Sequence, residues 1–504
     1  MKKYDVIVVG GGNAGLSAAV TTAKEGLKTL LIERNPLPGG CATSFRRGRF
    51  EFEVSLHEMS NVGTKEQNGS LRRLLESYGV DIDWVIEETA FHVRAGGENG
   101  YDIVMPSGKE AFCDAMERAV PGSRESVEAA LKIEDKISEA VAYLSKGKPD
   151  QNVLVKDYPD FLRATAYSLD ECLDALGMPK KAQNIFKTYW PYLGGKTDEI
   201  DFAHYVMMLK RYISYYPAMP RMRSHELSLA VEKAIRDNGG EIRYNSEVTE
   251  VLFEGEKACG VKIGDEAIYA DSIVLNCFPE VAYKTLIPEE HVPSEGVKLI
   301  NARSTGFLFF TVYLGLNRSA EELGIEDYSL FLYDTPDSIE QFESTERTNA
   351  EMLISNCINK VIDDASPEGT SILFLTCLLS EDAWGEVKPE DYKKTKNRIA
   401  KKMIETFEAK TGISIMPHIE EIAVSAPPTF ARYLNTPNGT PYGYTLKPWD
   451  TMMSRIMNSK GENLTEGLYF VGAHSERACG YSPTYSNGNS VGMRIVREAK
   501  NGKS

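Results

Sequence analysis

At 504 residues the chain is longer than one ordinary domain, and two or three are expected. A hydrophobic content of 42% supports real cores, while a net charge of −16 argues against a nucleic-acid partner. No apolar run approaches the ~20 residues of a membrane-crossing helix, which leaves only peripheral membrane contact through a local apolar patch open.

The first strand begins almost at once, leaving no room for a signal peptide, so a cytoplasmic location is expected. The eight cysteines (Cys41, Cys113, Cys172, Cys259, Cys277, Cys357, Cys377 and Cys479) are scattered, with no C-x-x-C. Dithiol, zinc and iron–sulfur spacings are all missing, and no metal is expected.

Tyr4–Gly10 reads as a valine-rich strand buried on both faces. It runs into Gly10-Gly11-Gly12-Asn13-Ala14-Gly15, which contains G-x-G-x-x-G, and Leu16–Glu25 then carries a helical pattern ended by Gly26. Leu27–Ile32 is a second buried strand ending on Glu33, 18 residues after Gly15. Strand, glycines, helix, strand and acid in this order form a dinucleotide cradle. Gly10 permits the turn, Gly12 admits a pyrophosphate and Gly15 lets helix pack on strand. The helix N-terminus at Asn13-Ala14 offers unpaired N–H groups and partial positive charge. Glu33 suits ribose hydroxyls and disfavours a 2′-phosphate, so NADP is the less expected ligand.

After the loop Arg34–Pro38 comes Gly39-Gly40-Cys41-Ala42-Thr43. An acid closing the second strand, then Gly-Gly and a nearby Thr, resembles the FAD-binding amine-oxidase-like flavoproteins. Phe50-Glu51-Phe52-Glu53-Val54-Ser55-Leu56-His57-Glu58 is similar to a stretch of the phytoene desaturase, carotenoid isomerase and retinol saturase group. That group carries Asp and Gly where Glu53 and Ser55 stand here, and Ser55 predicts an altered backbone beside the flavin. The resemblance implies an FAD cofactor held by Gly10, Gly12, Asn13, Ala14, Gly15, Glu33, Arg34, Gly39, Gly40, Cys41, Thr43, Ser55 and Leu56.

Leu71–Tyr78 reads as a helix, and Phe91–Arg94 with Tyr101–Met105 as a hairpin. From Ala115 to about Tyr216 the pattern is helical, with an aromatic-rich stretch from 150 onward that includes Trp190, Tyr192 and Tyr212. A helical core and a lid around a long apolar substrate both stay open here. Some substrate contact is favoured, because concave sites prefer aromatic linings. A helix over 224–238 and strands at 241–244, 248–253, 260–262 and 270–276 resemble the second FAD-contacting unit of the superfamily, with Val248 at the adenine and Asn276 returning to the nucleotide.

Strand-like runs at 306–316, 328–333 and 371–379 predict an antiparallel sheet, and Pro389–Thr411 predicts a charged helix. Val424–Tyr444 resembles the family's late segment that returns toward the flavin. Gly467–Ala473 is a final strand and turn. In the glycine segment that follows, only Gly480 survives before Pro483, with a helix expected over about 484–497. By resemblance Gly472, Ala473, Gly480, Ser482, Pro483 and Thr484 join the FAD set. A helix dipole there would stabilise negative charge on reduced isoalloxazine.

The fold expected is α/β, a Rossmann-like FAD-binding domain interleaved with an antiparallel-sheet substrate domain and a helical lid. Its segments are 1–70, 217–285 and 446–504 for FAD, 71–115 and 286–445 for the substrate domain, and 116–216 for the lid. The activity implied by the resemblance is action on carbon–carbon double bonds of a lipophilic polyene, retinoid or unsaturated lipid, by saturation, desaturation or isomerisation. With one dinucleotide fingerprint only, the electron donor or acceptor is external. His57 is the first choice for proton handling and Glu58 the second. Arg432, Tyr433, Tyr442, His474, Tyr481 and Tyr485 are candidates to line the cleft, with Glu476 and Arg477 beside them. Cys41 and Cys479 read as packing residues. Two alternatives remain open: an amine or amino-acid oxidase on the same scaffold, and a non-enzymatic escort protein for prenylated partners.

Overall fold

The computed structural model describes residues 3–145, 150–457, 463–475 and 479–501. Two seven-stranded sheets organise the chain. In the first, Lys3–Val9 lies between two parallel neighbours, Thr29–Ile32 and the C-terminal half of Glu266–Leu275. Glu241–Arg243 extends it on one side, and Leu468–Phe470 pairs with Glu266–Leu275. An antiparallel ribbon of Glu250–Glu254 and Lys257–Ile263 completes it. Thr29–Ile32 is buried throughout, which explains its uninterrupted apolar run.

Helix Asn13–Lys24 covers this sheet, and its close seating depends on Gly15: a Cβ there would overlap the Gly10 carbonyl oxygen. The last helix, Tyr481–Asn501, crosses it. At the crossing a Cβ on Gly488 would overlap the Ala14 carbonyl, and Ser17 Oγ donates to Tyr485 O at 2.6 Å. That helix is one turn longer at each end than the pattern predicts. Pro483 sits in its first turn, where no N–H is needed.

The second sheet runs in the order Ile419–Ser425, Leu308–Leu316, Ser371–Leu379, Met352–Cys357, Ser329–Tyr333, Thr89–Ala95 and Tyr101–Pro106. All neighbours are antiparallel except Thr89–Ala95 beside Ser329–Tyr333. Alternate residues face opposite layers. Phe310, Leu314, Leu353 and Leu375 pack against helix Tyr392–Thr411, while Phe309, Phe331, Ile354 and Leu378 join the aromatic core of the helical layer. That layer includes helices Lys109–Ala119, Arg124–Leu144 and Phe202–Tyr215.

Two strands of this sheet escape the sequence pattern. Met352–Cys357 carries Ser355 and Asn356 in a buried position, and Ile419–Ser425 is a half-exposed edge with two glutamates. The hairpin Ser44–Arg47/Phe50–Glu53 and the pair Trp84–Ile86/Ala218–Pro220 were equally hidden. Among the described residues no helix is long and apolar enough to cross a membrane.

Candidate active site

The nucleotide cradle is built from backbone. Gly11 N–H donates to Glu33 Oε2 at 2.6 Å and Asn35 N–H to Oε1 at 2.7 Å, so the strand-ending acid closes the glycine turn. Gly39 N–H donates to Gly11 O at 2.8 Å, bringing Gly39-Gly40 against Gly12. The Asn276 amide accepts from Gly12 N–H and donates to Val471 O, both at 3.1 Å, tying the turn to the last strand. Ser246 N–H donates to Glu33 O at 3.0 Å, which seats the segment leading to Val248 beside the acid. Val248 itself is packed in the core with Ile7 and Ile32. Thr43 Oγ1 lies 3.5 Å from His225 Nδ1.

Helix Asn13–Lys24 has no side-chain cap, and the buried Oδ1 of Asn13 has no partner. Gly12, Asn13, Ala14 and Gly39 border a cavity of about 1080 Å³. An uncapped helix N-terminus, with its N–H groups turned to the cavity edge, fits the pyrophosphate of a dinucleotide. The cavity continues past Cys41 and Ser55–Asn61 to Tyr192, Phe309, Ile354, Leu378 and Tyr442, between the second sheet and the helical layer. Gly472, Ala473, Gly480, Tyr481, Ser482, Pro483 and Thr484 border it from the last strand and helix. The space therefore joins a phosphate-binding end to an apolar, aromatic end, as a flavin and a lipophilic partner would require.

The loop between these ends is held carbonyl by carbonyl. Tyr313 Oη donates to Val54 O at 2.6 Å, Tyr328 Oη to His57 O and Tyr212 Oη to Glu58 O at 3.5 Å. Ala218 N–H donates to Met59 O at 3.1 Å, and Ser482 Oγ to Ser60 O at 2.6 Å. Ser55 does not adopt a left-handed backbone, and its Oγ donates to Cys41 O at 3.3 Å. The residue that replaces the family's glycine thus ties two loops together.

Burial sets the electrostatics. Glu53 accepts from Ser224 Oγ at 2.6 Å and Ser224 N at 3.0 Å, and desolvation raises its pKa against those bonds. Glu58 is 5% exposed; its Oε1 accepts from Tyr192 Oη at 2.5 Å, while Oε2 has no partner. Desolvation pushes the Glu58 carboxyl up to about 7. Glu87, buried nearby, is raised well above the carboxylate range by desolvation and then by repulsion from Glu58. His57 packs against Tyr192, Phe309 and Phe374, and desolvation lowers its pKa to about 4. The Cys41 and Cys479 thiols are pushed to about 12, again by burial. Both remain thiols at neutral pH.

Several sequence-predicted positions lie elsewhere. Arg34 donates to the carbonyls of Arg432 and Tyr433 at 2.9 and 3.1 Å and does not border the cavity. Arg432 and Tyr433 are not cleft residues: they end helix Pro427–Leu434 on the outer surface, with Tyr433 60% exposed. His474 is 1% exposed and packs on Phe278 and Phe470 behind the cavity wall. Tyr485 is fully buried at the crossing of the first and last helices. Tyr442 and Tyr481 do border the cavity, with Tyr442 Oη donating to Pro191 O at 2.6 Å and Tyr481 Oη to Cys41 O at 3.1 Å. Glu476 and Arg477 lie outside the described residues. Sequence reasoning missed Glu87, Asp201 and His204. Only the last two left a signal, an acid three residues before a histidine at a helix start.

A family model described as FAD dependent oxidoreductase matches residues 5–81. The chain is 25% identical to an all-trans-retinol 13,14-reductase of Macaca fascicularis, over 88% of this chain and 77% of that one. It is 23% identical to a chloroplastic prolycopene isomerase of Daucus carota, over 94% and 76% respectively. Among solved structures, cyclohexylamine oxidase from Brevibacterium oxydans shares the fold with a TM-score of 0.62 at 13% identity, covering 99% of this chain and 100% of that one. With a cradle that fits the cofactor and likenesses that span most of its length, the chain is an FAD-dependent oxidoreductase related to the retinol reductases and prolycopene isomerases.

Proposed function

We propose that this enzyme acts on carbon–carbon double bonds of a lipophilic, polyene-like substrate. The observation that carries the reading is the cavity itself. It is apolar and aromatic at the end away from the cradle, and Glu58 is the only carboxyl among its described lining residues. The names of the two relatives, one a retinol reductase and one a carotenoid isomerase, support the same substrate class. Bound FAD supplies a two-electron carrier able to exchange hydride with carbon.

The chain's residues then have these roles. Gly12, Asn13 and Ala14 would hold the pyrophosphate and Glu33 the ribose. Ser55, Leu56, Gly472 and Ala473 would border the ring system. Phe309, Ile354 and Leu378 exclude water and seat the polyene. Glu58 handles the proton at Oε2. The sequence ranks His57 ahead of Glu58, and burial reverses that order. An imidazole held near pKa 4 is a poor proton donor at neutral pH, whereas a carboxyl near 7 both gives and takes a proton readily. Saturation consumes a proton at Glu58, desaturation delivers one there, and isomerisation leaves the net count unchanged. Electrons enter or leave through an external partner, because the chain has one dinucleotide fingerprint.

The test is anaerobic reduction of the flavin followed by mixing with polyenes, retinoids, unsaturated fatty acids and, separately, of oxidised enzyme with amines. Reoxidation or isomer formation with a polyene is expected. Reduction by amines with silence toward every alkene would replace this reading with amine oxidation.

A further inference from the structure

Helix Phe202–Tyr215 presents one face to the cavity. His204, Met207, Met208, Arg211 and Tyr212 all border it, at the i, i+3, i+4, i+7 and i+8 spacing of a single helical stripe. Tyr212 marks the reaction end of that stripe, since its hydroxyl donates to the Glu58 carbonyl. His204 lies eight residues back, roughly 12 Å along the axis. The stripe between them is two methionines and Arg211, and the flexible thioethers suit a long apolar chain.

His204 is not an ordinary core histidine. It is 6% exposed, and its Nδ1 is 2.6 Å from Asp201 Oδ2. Asp201 is itself held in place: it caps the helix by accepting from His204 N at 3.0 Å, and it accepts from Met452 N at 3.1 Å. A carboxylate at Nδ1 fixes the ring orientation and leaves Nε2 for a partner outside the helix. Among the described residues its hydrogen bonds run through the backbone N and Nδ1, and His204 borders the cavity. With its other nitrogen tied to Asp201 and its ring at the cavity edge, His204 is placed to hydrogen-bond a ligand hydroxyl through Nε2.

We propose that His204, oriented by Asp201, anchors a terminal hydroxyl of an otherwise apolar substrate and so sets which double bond reaches Glu58. The anchor rests on the polyene reading above and adds to it a substrate polarity and a length. His204 is a specificity residue, remote from the reacting carbons. It predicts that lengthening the chain between hydroxyl and reactive bond moves the site of reaction along the polyene rather than abolishing binding.

The test uses the oxidised holoenzyme and two polyenes of equal length, one ending in a hydroxyl and one in a methyl group, with binding followed by the flavin absorption. Wild type is expected to favour the alcohol at least ~tenfold. His204→Leu should bind the methyl-ended polyene as wild type does and lose the preference. In wild-type enzyme, a photoreactive group placed at the hydroxyl end should label the peptide containing residues 202–215. Equal affinities in wild type, a preference that survives His204→Leu, or labelling confined to another segment would overturn the anchor alone. Failure of wild type to bind either polyene would overturn the substrate class and the anchor together.

Discussion

The glycine turn at Gly10–Gly15 and the loop at Val54–Asn61 border one cavity, yet they are held in opposite ways. The turn is set by its own short stretch of chain: glycines where side chains would collide, a helix start, and an acid that bonds two loop amides. The loop is set from far away, by hydroxyls and an amide of Tyr313, Tyr328, Tyr212, Ala218 and Ser482 reaching its successive carbonyls. A site of the first kind is most sensitive to local change, with Asn276 and Gly39 tying it to the rest of the chain. A site of the second kind depends on the assembly of both sheets and the helical layer.

That contrast can be broken by mutation. The largest effect is expected from Gly15→Val, where two methyl groups and a Cβ would meet the Gly10 carbonyl. Loss of flavin and a fall in stability beyond the usual 1–3 kcal/mol of overpacking are expected on purification. A yellow, stable Gly15→Val protein would mean that the turn is not what positions the helix. Glu58→Gln should keep the flavin and lower turnover by about 10²–10⁴-fold, the usual worth of a positioned acid or base. His57→Ala, which removes only a neutral ring, should cost about tenfold or less. The reverse ranking in steady-state kinetics would restore His57 to the proton role.

Glu87→Gln sharpens the comparison. Repulsion from ionised Glu58 raises Glu87, which is still neutral when Glu58 titrates, so the variant should leave the pH profile of turnover where it is. A small effect is expected at His92, which is bonded to Asp327 at 2.5 Å and to Asp102 on the outer hairpin. Burial alone would lower its pKa, but the two carboxylates outweigh burial and raise it. The stabilisation is therefore full below the unfolded value near 6.5 and is lost as pH rises through the folded one. His92→Asn should lower the melting temperature more at pH 5.5 than at pH 9, with flavin content unchanged.

What could be read in the sequence follows the same division. Gly10, Gly12, Gly15, Glu33 and Gly39-Gly40 form a local code, and both the cofactor and the first sheet were legible from it. The antiparallel sheet was legible where strands are continuously apolar, as in Leu308–Leu316. It was hidden where polar residues are buried or the strand is an edge. At the reaction end the residue types were visible but their environments were not. His57 and Glu58 stand side by side in the chain, and only burial, which lowers the imidazole and raises the carboxyl, decides which of them is tuned to neutral pH. Arg432, Tyr433, His474 and Tyr485 failed for the same reason, since nothing local distinguishes a cleft tyrosine from one at a helix crossing.

The ionisation of Glu58 is central to the proposed chemistry and can be observed directly. A difference infrared spectrum between the wild-type holoenzyme and Glu58→Gln, taken across pH 5–9, isolates this carboxyl. A protonated carboxyl band at pH 5 that converts to carboxylate with a midpoint at about 7 is expected. A group already ionised at pH 5 would contradict the proposed chemistry.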